Sequence, residues 1–454
     1  MAEKQSSADR LTLELPLIEV CDVIPMDDTR NRALVAMADG AVVVGGYLND
    51  DISDNTVFGP GEENETVLSV EPYDPNWGFI AKYNADNTLA WVVGGISPVS
   101  QLNADTDDGI IAVIERHVGG DNENLQIKKL DADGKDVWTL SVQYGDRAVI
   151  NDAGEIFVTG SFSETVTLGD GDNAVTFENT EGASYVSYIA AYDANRALMW
   201  AVPLDHLYIT NDIAVGDNAI AVVDNSGTLV YLNGNGEELW RQKVGDNGEA
   251  DANETMIAGS FVDFGTTGVN LLSDGSVLWS GEFEVSVIFE DAWNNVVALT
   301  TPYGFAETGS WTKVHPFVAH YTASGGLLSA TDNVGFSSIV TDDKLVTINP
   351  TKDSDPEAPP FSSLLECSDD THLCSNFVLA RMDPDGTLEQ ASEVVLEADV
   401  WSGGQPPLAS KPDGTFWTTS YLADGLGGGS YPSSDPKNPL VGNALIHLCP
   451  VDAE

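Results

Sequence analysis

Positive charge is scarce in this chain. Of its 454 residues 19 are Lys or Arg, against 72 Asp or Glu, for a net charge of −53. A field of that sign repels phosphate backbones and anionic headgroups, which excludes nucleic-acid and membrane-surface binding. It fits a solvated acidic coat suited to salty or extracellular surroundings, and it leaves carboxylates as candidates for divalent cations. Long apolar runs are missing too. No stretch approaches the roughly 18 residues that a bilayer-spanning helix needs, so no membrane insertion is expected. The start, MAEKQSSADR, lacks the apolar core of a signal peptide. The chain reads either as cytosolic or as a mature chain whose export signal has been removed. Catalytic signatures are absent as well: there is no GxSxG elbow, no HExxH and no P-loop. The paired carboxylates of a glycosidase or lyase leave no spacing signature, so that chemistry stays open.

Cysteine is nearly as scarce, with four residues. Two pairings suggest themselves, Cys367 with Cys374 inside LECSDDTHLC, and Cys21 with Cys449 near opposite ends of the chain. Four cysteines allow three connectivities, and four reduced thiols remain the alternative. Paired cysteines favour the exported reading, and the expected location is extracellular, periplasmic or cell-surface.

What the sequence does have is a repeat. Trp91 in NADNTLAW, Trp138 in DADGKDVW, Trp200 in DANRALMW, Trp240 in NGNGEELW and Trp279 in SDGSVLW each close a polar turn and open a short apolar strand. The spacing, about 40 to 60 residues, is that of propeller blades. Short apolar or alternating runs bounded by Asp, Asn and Gly read as strands in hairpins. Each Trp is expected on an outer strand d, filling the space between adjacent blades. The fold class is therefore all-β: a single β-propeller over 11–454 behind a disordered tail at 1–10. Eight four-stranded blades can be counted, or seven if one degenerate unit is not a blade. The last unit stops after its strand c, and LTLELPLIEVC near the start has the character of the missing strand d. That pairing would bring Cys21 and Cys449 within reach of a disulfide that locks the ring.

The stretch EIFVTGSFSETVTLGDGDNAVTFENTEGASYVSYIAAYDANRALMW resembles the bacterial β-propeller repeat of many secreted and surface proteins. TLVYLNGNGEELWRQKV is also similar to the repeat of quinoprotein-type propellers, whose outer strands carry a docking Trp. The resemblance implies a propeller and, for the second group, eight blades. Quinoprotein dehydrogenases typically set a disulfide between adjacent cysteines against their cofactor. This chain has no adjacent cysteines, which argues against redox chemistry, and no cofactor is predicted.

Candidate binding residues follow from the loops. The connections from strand b to strand c, at 49–77, 162–186, 350–375 and 422–442, are long, with 302–315 intermediate, and are expected on one rim. They carry the non-repeating aromatics. Tyr73, Trp77, Trp311, Phe361 and Tyr431 are the candidate ligand-binding residues, able to stack on sugars or anchor a protein, or else to pin the loops to the blades. Asp170 and Asp172 in GDGDN are the candidate calcium ligands, while DADGKD and DPDGT read as turns. His315 and His320 should face opposite sides of a strand, which disfavours joint zinc binding. The function expected is a non-catalytic, exported or cell-surface binding or structural module with a protein or polysaccharide partner. The alternative is a carbohydrate-active propeller enzyme with paired carboxylates.

Overall fold

The structure, a computed structural model, describes residues 18–26, 29–48, 55–69, 76–105, 107–115, 124–151, 153–180, 184–204, 207, 209–244, 268–283, 286–293, 295–300, 315–332, 337–341, 343–351, 373–385, 387–401, 408–410, 415–423 and 442–450. The expected tail at 1–10 lies outside them. Among the described residues the one helical element is a 3-10 turn at Gly171–Asn173, and no helix is long and apolar enough to cross a membrane.

The chain begins with β1 (Ile18–Met26), whose partner comes last. The first blade holds β2 (Thr29–Ala36) and β3 (Val42–Leu48), an inserted hairpin of β4 (Thr56–Phe58) and β5 (Thr66–Leu68), then β6 (Gly78–Tyr83) and β7 (Leu89–Ile96). The second is β8 (Val99–Ala104), β9 (Ile110–Ile114), β10 (Asn124–Leu130) and β11 (Asp136–Gln143). The third is β12 (Gly145–Ile150) and β13 (Ile156–Phe162), the hairpin β14 (Thr165–Leu168) with β15 (Val175–Glu178), then β16 (Val186–Tyr192) and β17 (Leu198–Leu204). The fourth is β18 (Thr210–Val215), β19 (Ala219–Asp224), β20 (Thr228–Asn233) and β21 (Glu238–Lys243). The fifth is β22 (Gly268–Leu271) and β23 (Val277–Phe283), the hairpin β24 (Ser286–Glu290) with β25 (Val296–Thr300), then β26 (His315–Tyr321) and β27 (Leu327–Thr331). The sixth sheet has eight strands: β28 (Ser337–Thr341), β29 (Lys344–Thr351), β30 (Leu373–Met382), β31 (Leu388–Trp401), β32 (Leu408–Ser410), β33 (Phe416–Ala423), β34 (Gly442–Pro450) and β1.

The molecule is thus an all-β propeller, with six blade sheets among the described residues and not eight. The sixth holds two four-strand runs, joined where Asp399 and Val400 of β31 pair with Ala423 and Leu422 of β33. The expected count failed in the fifth blade. SDGSVLW reads as a turn into an outer strand, but Asp274–Gly275 is the first turn of a blade, between β22 and β23. The same Asp-Gly chemistry serves both turns of a blade, so the phase cannot be told from the turn alone. NNVVALTT, taken as the start of another unit, contributes the inserted strand β25, and ETMIAGSF lies outside the described residues.

Middle strands read as continuous apolar runs because neighbouring blades cover both their faces. Alternate residues of β3 divide accordingly. Val42 and Val44 join the cluster with Phe79, Trp417 and Leu445, while Val43 joins Ile80, Ile110 and Ala112 of the next interface. Comparable clusters bridge the second to the third blade, the third to the fourth, the fourth to the fifth and the fifth to the sixth sheet. The first cluster closes the ring. As expected, the N-terminal strand completes the last unit, with β1 antiparallel to β34 from Ile18–Pro450 to Met26–Asn443.

The repeated Trp packs between blades at four of its five positions. The Trp91 indole donates to the Ala132 carbonyl at 2.9 Å, and Trp240 donates to Ala323 at 2.9 Å, each on the last turn of the following blade. Trp138 lies 5.2 Å from the Arg196 guanidinium, and Trp200 covers Gly236. Trp279 is the exception and corrects the reading. It sits on β23, fully buried, edge-on to Phe289 and Phe317 at 6.1 Å.

Candidate mouth of the inner-strand ring

In each blade the strands run outward from the axis, so β2, β8, β12, β18, β22, β28 and β32 are the inner strands; β2 touches β8 and β32, β32 touches β28, and β18 touches β12 and β22. Inner strands begin at the end of the ring that also receives the connections from the second to the third strand. That end is the mouth. Four inner strands carry a bulge at the same place, just inside it. The register shifts between Asn31 and Ala33, between Val99 and Gln101, between Gly145 and Arg147, and between Thr210 and Asp212. A bulge sets two residues against one and re-aims side chains. The residues so placed are polar: Arg32, Ser100, Asp146 and Asn211.

These groups are knitted within and between blades. Inside the third blade the Ser161 hydroxyl donates to Asp146 at 2.6 Å, and from the third to the fourth Arg147 Nε donates to the Asn211 carbonyl at 2.8 Å. Thr210 donates to Thr159 at 3.0 Å in a buried contact. Asp212 accepts the Val269 N–H at 2.9 Å. Desolvation pushes the Asp212 carboxyl above the usual carboxylate range, although the Val269 and Ile213 N–H groups and the Arg147 charge pull the other way.

The first blade's share of the mouth is different in kind. The bulge at Arg32 turns it to the side that Arg30 already faces, with the Arg32 and Arg30 guanidinium carbons 4.7 and 5.9 Å, respectively, from the Tyr47 ring centroid. Tyr47 in turn lies 4.8 Å from Trp77, tilted by 43°. The third-strand register explains the contact, since Tyr47 pairs with Gly78 beside Trp77. Arg32 Nη1 reaches Glu115 of the second blade at 2.7 Å. Of the expected binding aromatics, Trp77 is thus at the mouth and half-buried against Tyr47. Tyr73, Trp311, Phe361 and Tyr431 lie outside the described residues.

Of the long connections expected on that rim, 49–77 and 162–186 carry described hairpins that turn away from the mouth, while 302–314, 352–372 and 424–441 lie outside the described residues. The inserted hairpins of the first, third and fifth blades fold down the outside to the opposite end. Glu62 accepts the Leu89 N–H at 2.6 Å and Asn64 donates to the Leu89 carbonyl at 3.1 Å. Asp291 accepts the Leu327 N–H at 2.8 Å. Leu89 and Leu327 open the outer strands, at the far end from the mouth. In the third blade Gly169 sits against Leu198 in the same way. Each hairpin thereby covers outer-strand backbone that would otherwise be an open edge.

Asp170 and Asp172 fall at the tip of hairpin β14–β15, Asp170 just before the 3-10 turn and Asp172 within it. Asp170 occupies the place of Glu62 and Asp291, each close to the Tyr that ends the third strand, Tyr192, Tyr83 and Tyr321 respectively. Among the described residues no three His, Cys, Asp or Glu side chains gather as a metal site. DADGKD is a turn, in which Asp131 accepts the N–H groups of Asp133 and Lys135 at 3.0 and 2.9 Å. Of the cysteines, Cys21 is disulfide-bonded and occupies the bulge of β1. Cys374 lies on β30, and Cys367 is outside the described residues.

The inner-strand polar groups were missed in the sequence. TRNR, YGDR and ITND stand at the starts of inner strands, but only register shows that a bulge turns them to the mouth.

Residues 185–301 match the family described as Outer membrane protein assembly factor BamB, well under half of the chain. They run from the third strand of the third blade into the inserted hairpin of the fifth and include the segment that resembles quinoprotein-type repeats. No curated protein matches the chain. Among solved structures it is similar to BamB from Moraxella catarrhalis, at 12% identity over 95% of this chain and 99% of that one, with a TM-score of 0.39. It is also similar to a streptogramin B lyase, at 10% identity over 94% and 96%, TM-score 0.41. A europium-containing methanol dehydrogenase follows at 10% identity over 95% and 93%, TM-score 0.44. Likenesses this distant carry no functional argument; the propeller assignment stands on the sheet topology above.

Proposed function

We propose that this chain is a non-catalytic, exported binding module that engages a protein partner at the mouth of its inner-strand ring. The observation that carries the reading is the layered set of Arg30, Arg32, Tyr47 and Trp77. Arg, Tyr and Trp are the side chains that most often dominate binding energy at interfaces. They stand here on two adjacent strands, β2 and β3, and at the residue that precedes the third, β6. The family matched over 185–301, described as an outer membrane protein assembly factor, supports a protein partner ahead of a polysaccharide, and supports a place outside the cytoplasm. Calcium at Asp170 and Asp172 is a separate proposal that this reading does not need.

The test is photo-crosslinking in the native host. A benzophenone amino acid in place of Trp77 should give discrete protein adducts, and the same probe in place of the exposed Leu239 on the outer wall should give none. Equal adducts at both positions, or none at Trp77, would end the proposal. Fractionation should find the chain outside the cytoplasm.

A carbohydrate-active enzyme is the second reading, favoured by two carboxylates, Asp146 and Asp212, on touching inner strands near the mouth. Burial raises the Asp212 carboxyl, in the direction a general acid requires. Reducing-sugar release by the purified chain, lost on Asp212→Asn, would replace the first reading with this one.

A further inference from the structure

The geometry points to a carboxylate as the group that the mouth takes: we infer that Arg30 and Arg32, held over Tyr47, bind an Asp or Glu side chain of the partner. This rests on the binding reading above and adds its chemistry.

In a chain with 72 acidic and 19 basic side chains, the described cations are mostly consumed by neighbouring carboxylates. Lys129 spans Asp105 and Asp107, each at 2.7 Å, Lys128 pairs with Asp136 at 2.8 Å, and Lys344 pairs with Asp383 and Glu389. Like the half-buried Arg196 over Trp138, Arg30 departs from this. It is exposed, and among the described residues its contact is the face of Tyr47, not an acid. A guanidinium resting on a ring keeps its N–H fork free for a second partner, and that fork matches a carboxylate in two parallel hydrogen bonds. Arg32 lies closer to the same ring.

The competing acid is weakly held. Glu115 pairs with Arg32 through side chains 32% and 45% exposed, respectively. Pairs so open to water contribute little to stability, so an incoming carboxylate can replace Glu115 readily. Tyr47 is fixed from behind by Trp77 at 4.8 Å, so the platform needs no rearrangement. A planar or aromatic neighbour of the acidic residue would find the half-buried Trp77 beside it. The net charge of the chain opposes any polyanion at long range, but that repulsion is screened beyond about 8 Å at physiological salt. The site therefore suits a short acidic epitope, not an extended polyanion.

The test uses the full chain at physiological salt and fluorescence anisotropy of a rhodamine-labelled peptide, acetyl-Gly-Glu-Tyr-Glu-Gly-amide. Saturable binding is expected, with at least a tenfold loss on Arg30→Gln combined with Arg32→Gln, and a similar loss when both Glu of the peptide become Gln. Glu115→Gln removes the competitor and should tighten binding about threefold, an outcome that misfolding cannot imitate. Binding that is indifferent to the arginines, or none at all, overturns the inference. So does stronger displacement by inorganic phosphate than by unlabelled peptide, which would make phosphate the ligand. Adducts at position 77 together with failure of the peptide would leave the binding reading standing and remove only the carboxylate.

Discussion

A single residue type, tryptophan, made this architecture legible, and it did so through its fit to a turn. The residue at the end of the following blade's last turn has positive φ: Gly134 at 78°, Arg196 at 69°, Gly236 at 82° and Gly325 at 86°. The indole lies over that residue, so a Cβ on Gly236 would come within 2.6 Å of Trp200. Gly61 has a similar φ of 81° in the first inserted hairpin, with nothing within 4 Å of its Cβ position. Gly236→Ala should therefore cost more than Gly61→Ala. Both incur the left-handed penalty of about 1 to 2 kcal/mol, and only the first adds overpacking of roughly 1 to 3 kcal/mol. Denaturant midpoints compare them, and equal losses would mean that the indole yields freely. The pattern misled at Trp279 because a turn and a following apolar strand look alike at both turns of a blade. Burial between Phe289 and Phe317 is a property of three dimensions.

Among elements, the inserted hairpins were visible only as length. Loops of that size were read as a binding rim, yet their tips carry groups that dock on the outer strands. Asp291 is the clearest. It accepts the Trp293 and Asn295 N–H groups at 2.9 Å, the Asn295 amide at 2.6 Å and the Leu327 N–H at 2.8 Å. Desolvation works against its charge, but these donors prevail and draw the carboxyl from the ordinary 3.8 down to about 2. A depressed value means that the folded state holds the proton less well than the unfolded one. The stabilisation is therefore fully present above about pH 4 and is lost as pH falls through about 2. Asp291→Ala should lower the melting temperature by a few degrees at pH 7, and the gap to the parent chain should narrow in melts taken toward pH 2. A constant gap would assign the effect to packing. Inner-strand bulges were hidden for a related reason: TRNR and ITND show polarity, but a bulge exists only relative to a partner strand.

For the whole molecule, closure is the decisive feature, and here sequence and structure agree. The final unit ends one strand short, and counting within that blade, independent of the total, assigns the missing strand to LTLELPLIEVC; its last four residues open β1, which runs on to Met26, and 11–17 lie outside the described residues. β1 does complete β34, and the register moves from Val20–Leu448 to Asp22–His447 across a bulge at Cys21. Cys449 stands opposite Glu19, two residues from that bulge. We propose Cys449 as the disulfide partner of Cys21. The pairing has a mechanical logic, since a ring built from one chain opens most easily at the strand pair that joins its ends. A bridge there closes nearly the whole chain into one loop, and in the chain-entropy model such long loops stabilise by up to about 5 kcal/mol. Mass spectrometry of unreduced peptides should find the Cys21 and Cys449 peptides linked, and Cys21→Ser should lower the unfolding midpoint more than Cys374→Ser. A link from Cys21 to Cys367 or Cys374 would contradict the proposed pairing, and closure would then rest on the β1–β34 ladder and the buried contact of Trp417 and Leu445 with the first blade.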